Sequence, residues 1–283
     1  MLLTRELLQT VAEIAQRAGA SIMEVYTRSE SPEVLHKADN SPLTQADMQA
    51  NALIVDALQA LSPHLPVLSE ESPAVPYEQR RQWQQYWLVD PLDGTREFLS
   101  RNGEFTVNIA LIDHGAPVLG VVLVPVSGVI YAGFCGDGAG AWRVDSAGSW
   151  QAITCARLPD PAFWHQYSLR VVSSRRHGEA ELASMMTGLS QRFAKIVRVP
   201  MGSSLKMCLL AEGAADFYPR LAPTSEWDTA AAHAVLRAAG GEIYDLSLNP
   251  LVYNRKSDML NPYFLATADM STPWLDLLNE LKG

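Results

Sequence analysis

Two aspartates three positions apart, Asp90 and Asp93, stand in the stretch YWLVDPLDGTREF (residues 86–98), with Pro91 and Leu92 between them and Gly94 and Thr95 behind. Aspartate, proline and glycine are turn-forming residues, so alone the stretch reads as a turn that carries acids. It also has the chemistry of a metal site. Asp90 would stand at a strand end, and Pro91 would fix the turn while removing a backbone donor aimed at a cation. The Leu92 carbonyl could then face inward between two carboxylates, and Gly94 would let the backbone come close. Thr95 could offer its N–H to a phosphate oxygen and its hydroxyl to a water. An Asp-x-Asp-Gly-Thr motif would suggest a covalent aspartyl nucleophile, but here two residues separate the aspartates.

Three further acids occupy comparable places. Glu70 and Glu71 follow a short apolar run in LSEES, and Asp228 opens an alanine-rich run in EWDTAAAHAV. Each has an ordinary reading: Glu70 and Glu71 as solvated loop acids, Asp228 as a first-turn acid stabilised by the helix dipole. Their shared position at element ends favours a common site, because such ends hold oxygen ligands rigidly. Hard cations such as Mg²⁺ bind through a few carboxylates together with substrate phosphate. Clusters of two or three such ions promote in-line attack of water on phosphorus. His36, His64, His114, His165 and His233 show no metal-ligand spacing, and none receives a catalytic role.

A second group lies downstream in GSSLKMCLLAEGAADFYPR. Ser203 and Ser204 open an expected helix, whose start offers backbone donors suited to a phosphate. Lys206 and Arg220 would add charge, and arginine can grip a phosphate with two parallel bonds. The ordinary reading is a capped helix with surface cations. His177, in VVSSRRHGEAE, sits at an expected strand-to-helix junction, where a lone histidine usually caps or faces solvent.

The positioning elements follow from periodicity. Apolar residues at helical spacing predict helices over 2–26 and about 44–61, and short strands at 65–69 and YWLVD each deliver an acid. From 104 to 144, EFTVNIALI, PVLGVVLVPV, GVIYAGF and GAWRV predict an antiparallel meander. Weak periodicity over 145–166 predicts a boundary, giving an α+β unit over 1–155 and an α/β unit over 156–283. In the second unit strands and helices alternate, as a partly parallel sheet requires. The fold class is therefore α/β.

The 283 residues carry a net charge of −9, which argues against general nucleic-acid binding but leaves room for a small polyanion held through cations. Three scattered cysteines fit neither a disulfide framework nor a zinc site. Charges interrupt the N-terminal apolar run, and no stretch reaches the roughly 20 apolar residues of a membrane span, so a cytoplasmic setting is expected.

Together LSEES, WLVDPLDGT and WDTAAAHAVLRAAGG resemble the three signatures of the Mg²⁺-dependent, lithium-sensitive inositol monophosphatase superfamily. KADNSPLTQAD, RNGEFTVNIALIDHGAPVLGVVLVPV and GSSLKMCLLAEGAADFYPR point within it to the 3′(2′),5′-bisphosphate nucleotidases. The resemblance covers nearly the whole chain and is weakest at 71–82, 135–167 and 245–260. It implies a layered α-β-α-β-α fold. It also implies hydrolysis of the 3′-phosphate of adenosine 3′,5′-bisphosphate to AMP, with a role in sulfur assimilation. The sulfate-bearing nucleotide remains an open substrate, because Arg176 stands where the family often has a small residue.

By the resemblance Glu70, Asp90, the Leu92 carbonyl, Asp93 and Asp228 are metal ligands. Leu92, Asp93, Gly94, Thr95 and Asp228 line the scissile phosphate, His177 faces the adenine, and Ser203, Ser204, Lys206 and Arg220 hold the 5′-phosphate. Water activation falls to a Thr95–Asp47 dyad, with a Thr95–Glu70 pairing as its rival. The family also suggests peripheral association with the inner membrane, for which the acidic charge gives no physical support. A sister inositol-phosphate phosphatase and a catalytically silent metal- or nucleotide-binding regulator are the competing readings.

Overall fold

A computed structural model of the chain describes residues 1–28, 34–36, 42–173 and 179–274. Arg176 and His177 lie outside the described residues. The first layer is a pair of helices, α1 (Arg5–Tyr26) and α2 (Gln45–Leu61). The Thr4 hydroxyl accepts the Leu7 N–H and caps α1. An antiparallel pair, β1 (Val34–His36) and β2 (Pro42–Thr44), leads directly into α2.

Both helices cover one face of a seven-stranded sheet. Its strands, in spatial and chain order, are β3 (Val67–Ser69), β4 (Gln85–Asp93), β5 (Thr106–Asp113), β6 (Ala116–Val124), β7 (Val129–Phe134), β8 (Gly140–Val144) and β9 (Trp150–Ile153). Only β3 and β4 run parallel; the rest is the expected meander. Short helices α3 (Tyr77–Arg80) and α4 (Thr95–Leu99) flank β4.

The second sheet has β10 (Ser168–Ser173), β11 (Lys195–Pro200), β12 (Phe217–Arg220), β13 (Glu242–Asp245) and β14 (Phe264–Thr267), in the order β11-β10-β12-β14-β13. The first three strands are parallel and β14 is antiparallel to both its neighbours, which makes the sheet partly parallel as expected. Between the sheets lie α6 (Leu205–Ala211) and α7 (Glu226–Ala238), and α5 (Glu179–Ser190) covers the outer face. The layers thus run α-β-α-β-α.

Alanines 230, 231, 232 and 234 are buried along α7, so the helix can lie close to the first sheet. At Gly120 of β6 a Cβ would sit 2.0 Å from the Ala231 carbonyl oxygen, so only glycine fits there. The apolar layer around α6 and α7 is continuous from Leu88 and Val122 on one sheet to Tyr218 and Phe264 on the other. The first sheet ends at Ile153 and the second begins at Ser168, and the last strand of the first sheet, β9, lies inside the 145–166 segment of weak periodicity. Sequence periodicity missed β9, β13 and β14, each four residues long and too short to show an alternation.

Candidate active site

The parallel pairing of β3 with β4 sets two acids side by side. Ser69 registers with Val89, and the Glu70 N–H donates to the Val89 carbonyl at 3.1 Å, which levels Glu70 with Asp90. The start of α7 supplies the third acid. One carboxylate oxygen each from Glu70, Asp90 and Asp228 lies within 4.8 Å of the others.

The turn after Asp90 is a β-bulge. Asp90 pairs with Asn108 and Asp93 with Thr106, so β4 advances three residues while β5 advances two. Asp90 Oδ1 accepts the Leu92 N–H at 3.0 Å, which locks the bend. Gly94 has φ of +92°, a left-handed conformation suited to glycine, and it starts the short α4 that presents Thr95.

Electrostatics mark these acids as a set. Burial, then the neighbouring Glu70, Asp93 and Asp228, push the Asp90 carboxyl well above its ordinary range. Burial, then Asp93 and Glu70, do the same to Asp228, although the Ser225 N–H donates to its Oδ2 at 2.9 Å. Asp93 is raised to about 6, chiefly by burial, against the opposing pull of Lys206 and the Ser204 N–H. Carboxylates gathered in low-dielectric surroundings repel one another, and a bound cation removes both the repulsion and the desolvation cost. The donors are all oxygens, the set that hard divalent cations prefer, so the residues fit such an ion.

Asp47 occupies the first turn of α2. Its Oδ2 accepts the Thr44 N–H at 2.8 Å and the Thr44 hydroxyl at 2.5 Å. Its Oδ1 faces the Thr95 hydroxyl at 3.4 Å, and that hydroxyl lies 3.5 Å from the Leu92 carbonyl. Burial raises the Asp47 pKa, while the Thr44 bonds oppose the shift.

The 203–206 segment meets the same site. The Ser204 N–H donates to Asp93 Oδ2 at 2.6 Å, and the Ser204 hydroxyl donates to Asn108 Oδ1 at 2.8 Å. The Gly202 N–H donates to Glu104 Oε2 at 2.8 Å. The Ser204 N–H, expected to meet phosphate, and the nearby Gly202 N–H are thus engaged by the chain's own carboxylates. Lys206 is buried, donates to the Ser203 carbonyl at 2.5 Å and lies under the influence of Asp93; burial lowers its pKa to about 8. Arg220 is partly buried, with Nε on the Ala222 carbonyl at 3.1 Å and Nη2 on the Pro223 carbonyl at 2.8 Å. These bonds orient the guanidinium and leave other N–H groups for a ligand.

Periodicity alone did not single out Glu104, Thr106 or Asn108, which tie Gly202, Ser204 and Asp93 together. The available signal was Thr106 and Asn108, two polar residues on one face of an otherwise apolar strand. His233 stands apart from the acids, fully enclosed between the Tyr253 hydroxyl at 2.9 Å and Glu242.

A family model described as the inositol monophosphatase family matches residues 3–271. The 3′(2′),5′-bisphosphate nucleotidase CysQ of Escherichia coli K12 is 48% identical over 259 residues, covering 91% of this chain and 98% of that protein. The crystal structure of CysQ from Bacteroides thetaiotaomicron superposes with a TM-score of 0.81 at 39% identity, covering 96% of this chain and all of the other. An inositol monophosphatase from Thermotoga maritima shares the fold at 19% identity, with a TM-score of 0.72 and 98% of each chain covered. The chain belongs to the inositol monophosphatase family.

Proposed function

We propose that this protein is a 3′(2′),5′-bisphosphate nucleotidase that hydrolyses the 3′-phosphate of adenosine 3′,5′-bisphosphate to AMP and phosphate, clearing a by-product of sulfur assimilation. The observation that carries the chemistry is the meeting of Glu70, Asp90 and Asp228 oxygens within 4.8 Å. The substrate rests on the near full-length likeness to CysQ. A phosphate-release assay with adenosine 3′,5′-bisphosphate, inositol 1-phosphate and AMP, with and without Mg²⁺, tests both parts. Preference for inositol 1-phosphate would overturn the substrate, and release without divalent metal would overturn the chemistry.

Glu70, Asp90, the Leu92 carbonyl, Asp93 and Asp228 would hold two or three Mg²⁺ ions. Bound there, they would neutralise phosphate charge and lower the pKa of water. The chain's own contribution is positioning. The Asp90–Leu92 bend holds its acids before substrate arrives, and Asp93 is fixed by the Ser204 N–H. The Thr95 hydroxyl, oriented by Asp47, would hold the attacking water and pass its proton toward the Asp47 carboxylate. The burial that raises the Asp47 pKa suits a proton acceptor. Asp47→Asn and Thr95→Ala are each expected to lower kcat by about 10²–10³ with metal binding intact. Near-full turnover in Asp47→Asn would leave water activation to the Glu70 pairing.

Ser203, Ser204, Lys206 and Arg220 would receive the 5′-phosphate, and His177 would face the base. Arg220→Ala is expected to raise KM for the bisphosphate about tenfold or more, and KM for a nucleoside 3′-monophosphate little. Equal effects on both would remove Arg220 from phosphate recognition. We place the protein in the cytoplasm and treat 1–155 and 156–283 as its two units. No described helix is long and apolar enough to cross a membrane.

A further inference from the structure

Arg80 ends α3 and is almost fully buried, at 2% exposure. Burying a guanidinium is costly unless its donors are satisfied. Here both terminal nitrogens donate into one distant loop. Nη1 donates to Asn254 Oδ1, while Nη2 donates to the carbonyls of Lys256 at 2.9 Å and Ser257 at 2.5 Å. Asn254 reciprocates, its Nδ2 donating to the Arg80 carbonyl at 2.6 Å. The partners lie 174 or more positions away in sequence.

The loop does not end there. The Asn254 N–H donates to Glu226 Oε2 at 2.8 Å, and the Glu226 N–H donates to the Met259 carbonyl at 2.7 Å. Asn261 Nδ2 donates to the Ser225 carbonyl at 2.8 Å and to the Thr229 hydroxyl at 3.1 Å. Ser225, Glu226 and Thr229 bracket Asp228 in the first turn of α7. At the other end, Arg80 joins through α3 to the turn that carries Glu70. The Tyr77 hydroxyl donates to the Arg255 carbonyl at 2.9 Å, a second tie between α3 and the loop. A strap of hydrogen bonds thus runs from α3, which follows Glu70 along the chain, to the start of α7 that carries Asp228, outside the cluster itself.

We propose that Arg80 is a positioning residue for divalent metal, fixing the gap between Glu70 and Asp228 through Asn254 and Glu226. A carboxylate at a strand end and one at a helix start converge only if something sets their separation, and a cation cannot pull them together without ordering both elements. The strap does so in advance. The guanidinium is suited to this task because its planar fork serves the Asn254 amide and two carbonyls at once, which an ammonium could not do in the same geometry. The strap joins 71–82 to 245–260, two of the segments where the family resemblance is weakest.

The inference rests on reading the acids as a metal site, and the test separates the two. Mn²⁺ and Mg²⁺ binding to the purified full chain would be titrated calorimetrically for wild type, Arg80→Met, Arg80→Lys and Asn254→Gly. Asn254 has φ of +57°, so glycine keeps the backbone while removing the side-chain bonds. The expected result is a loss of metal affinity of about tenfold or more in Arg80→Met and Asn254→Gly, with Arg80→Lys intermediate. At saturating metal, kcat and nucleotide KM should return to within about twofold of wild type, as expected if only metal affinity has changed. A merely structural role would lower thermal stability and leave metal affinity unchanged; that result in either folded variant overturns the inference. If Arg80→Met does not fold, Asn254→Gly decides. Wild-type protein that binds neither metal would overturn the site reading and this inference with it.

Discussion

Asp90→Asn is expected to lower kcat/KM by about a thousandfold or more at fixed Mg²⁺, and to make the metal-free protein more stable at neutral pH. The two effects have one origin. Asp90 is 1% exposed and stands among Glu70, Asp93 and Asp228, which together with burial force its pKa upward. Asparagine preserves the oxygen that accepts the Leu92 N–H, so the bend survives while the charge is lost. Removing the charge would relieve repulsion in the metal-free state and take away a proposed ligand in the loaded one. The checks are steady-state kinetics across Mg²⁺ concentration and a urea unfolding series with chelator present. A variant that keeps more than about a tenth of wild-type kcat/KM would remove Asp90 from the metal site.

Metal-free protein is expected to lose stability as pH rises from about 4 to 7, with divalent metal restoring it most strongly at the upper end. The Asp93 carboxyl is raised in the fold from 3.8 to about 6, and Asp90 and Asp228 move in the same direction. A folded pKa above the unfolded one means that the folded state holds more protons between the two values. Stability therefore falls with rising pH across that window. The Asp93 shift alone corresponds to on the order of 3 kcal/mol once both values are passed. Metal at a hundredfold over its Kd contributes about 3 kcal/mol in return, a rise of several degrees in Tm. Thermal melts at pH 5 and pH 8, each with chelator or Mg²⁺, check this. An equal metal effect at both pH values, or chelated protein more stable at pH 8, would contradict it.

How much could be read from residues alone depended on sequence distance. The acids at strand and helix ends were legible because each local pattern is short and unambiguous: an apolar run, an acid, then a turn residue. The Asp90–Gly94 turn was legible because proline and glycine restrict the backbone locally. The register that bulges β4 between Asp90 and Asp93 was not, since it is decided by pairing with Thr106 and Asn108 on the next strand. The same limit explains Gly202 and Ser204. Helix-start chemistry suggested donors open to a phosphate, but Glu104 and Asp93, 98 and 111 positions away, engage them. Arg80 gave no sequence signal at all, because an arginine in EQRRQW reads as solvated until its distant partners are known.

Gly120 lies in the middle of a strand, yet it bears on Asp228. With no room for even a methyl group between it and the Ala231 carbonyl, the bare backbone of β6 acts as a bearing surface for α7. The height of the helix above the sheet, and with it the elevation of the carboxylate at its first turn, depends on one missing side chain as well as on the loop bonded to its start. The acidic cluster therefore has a mechanical datum inside the core, on a residue that is none of its members.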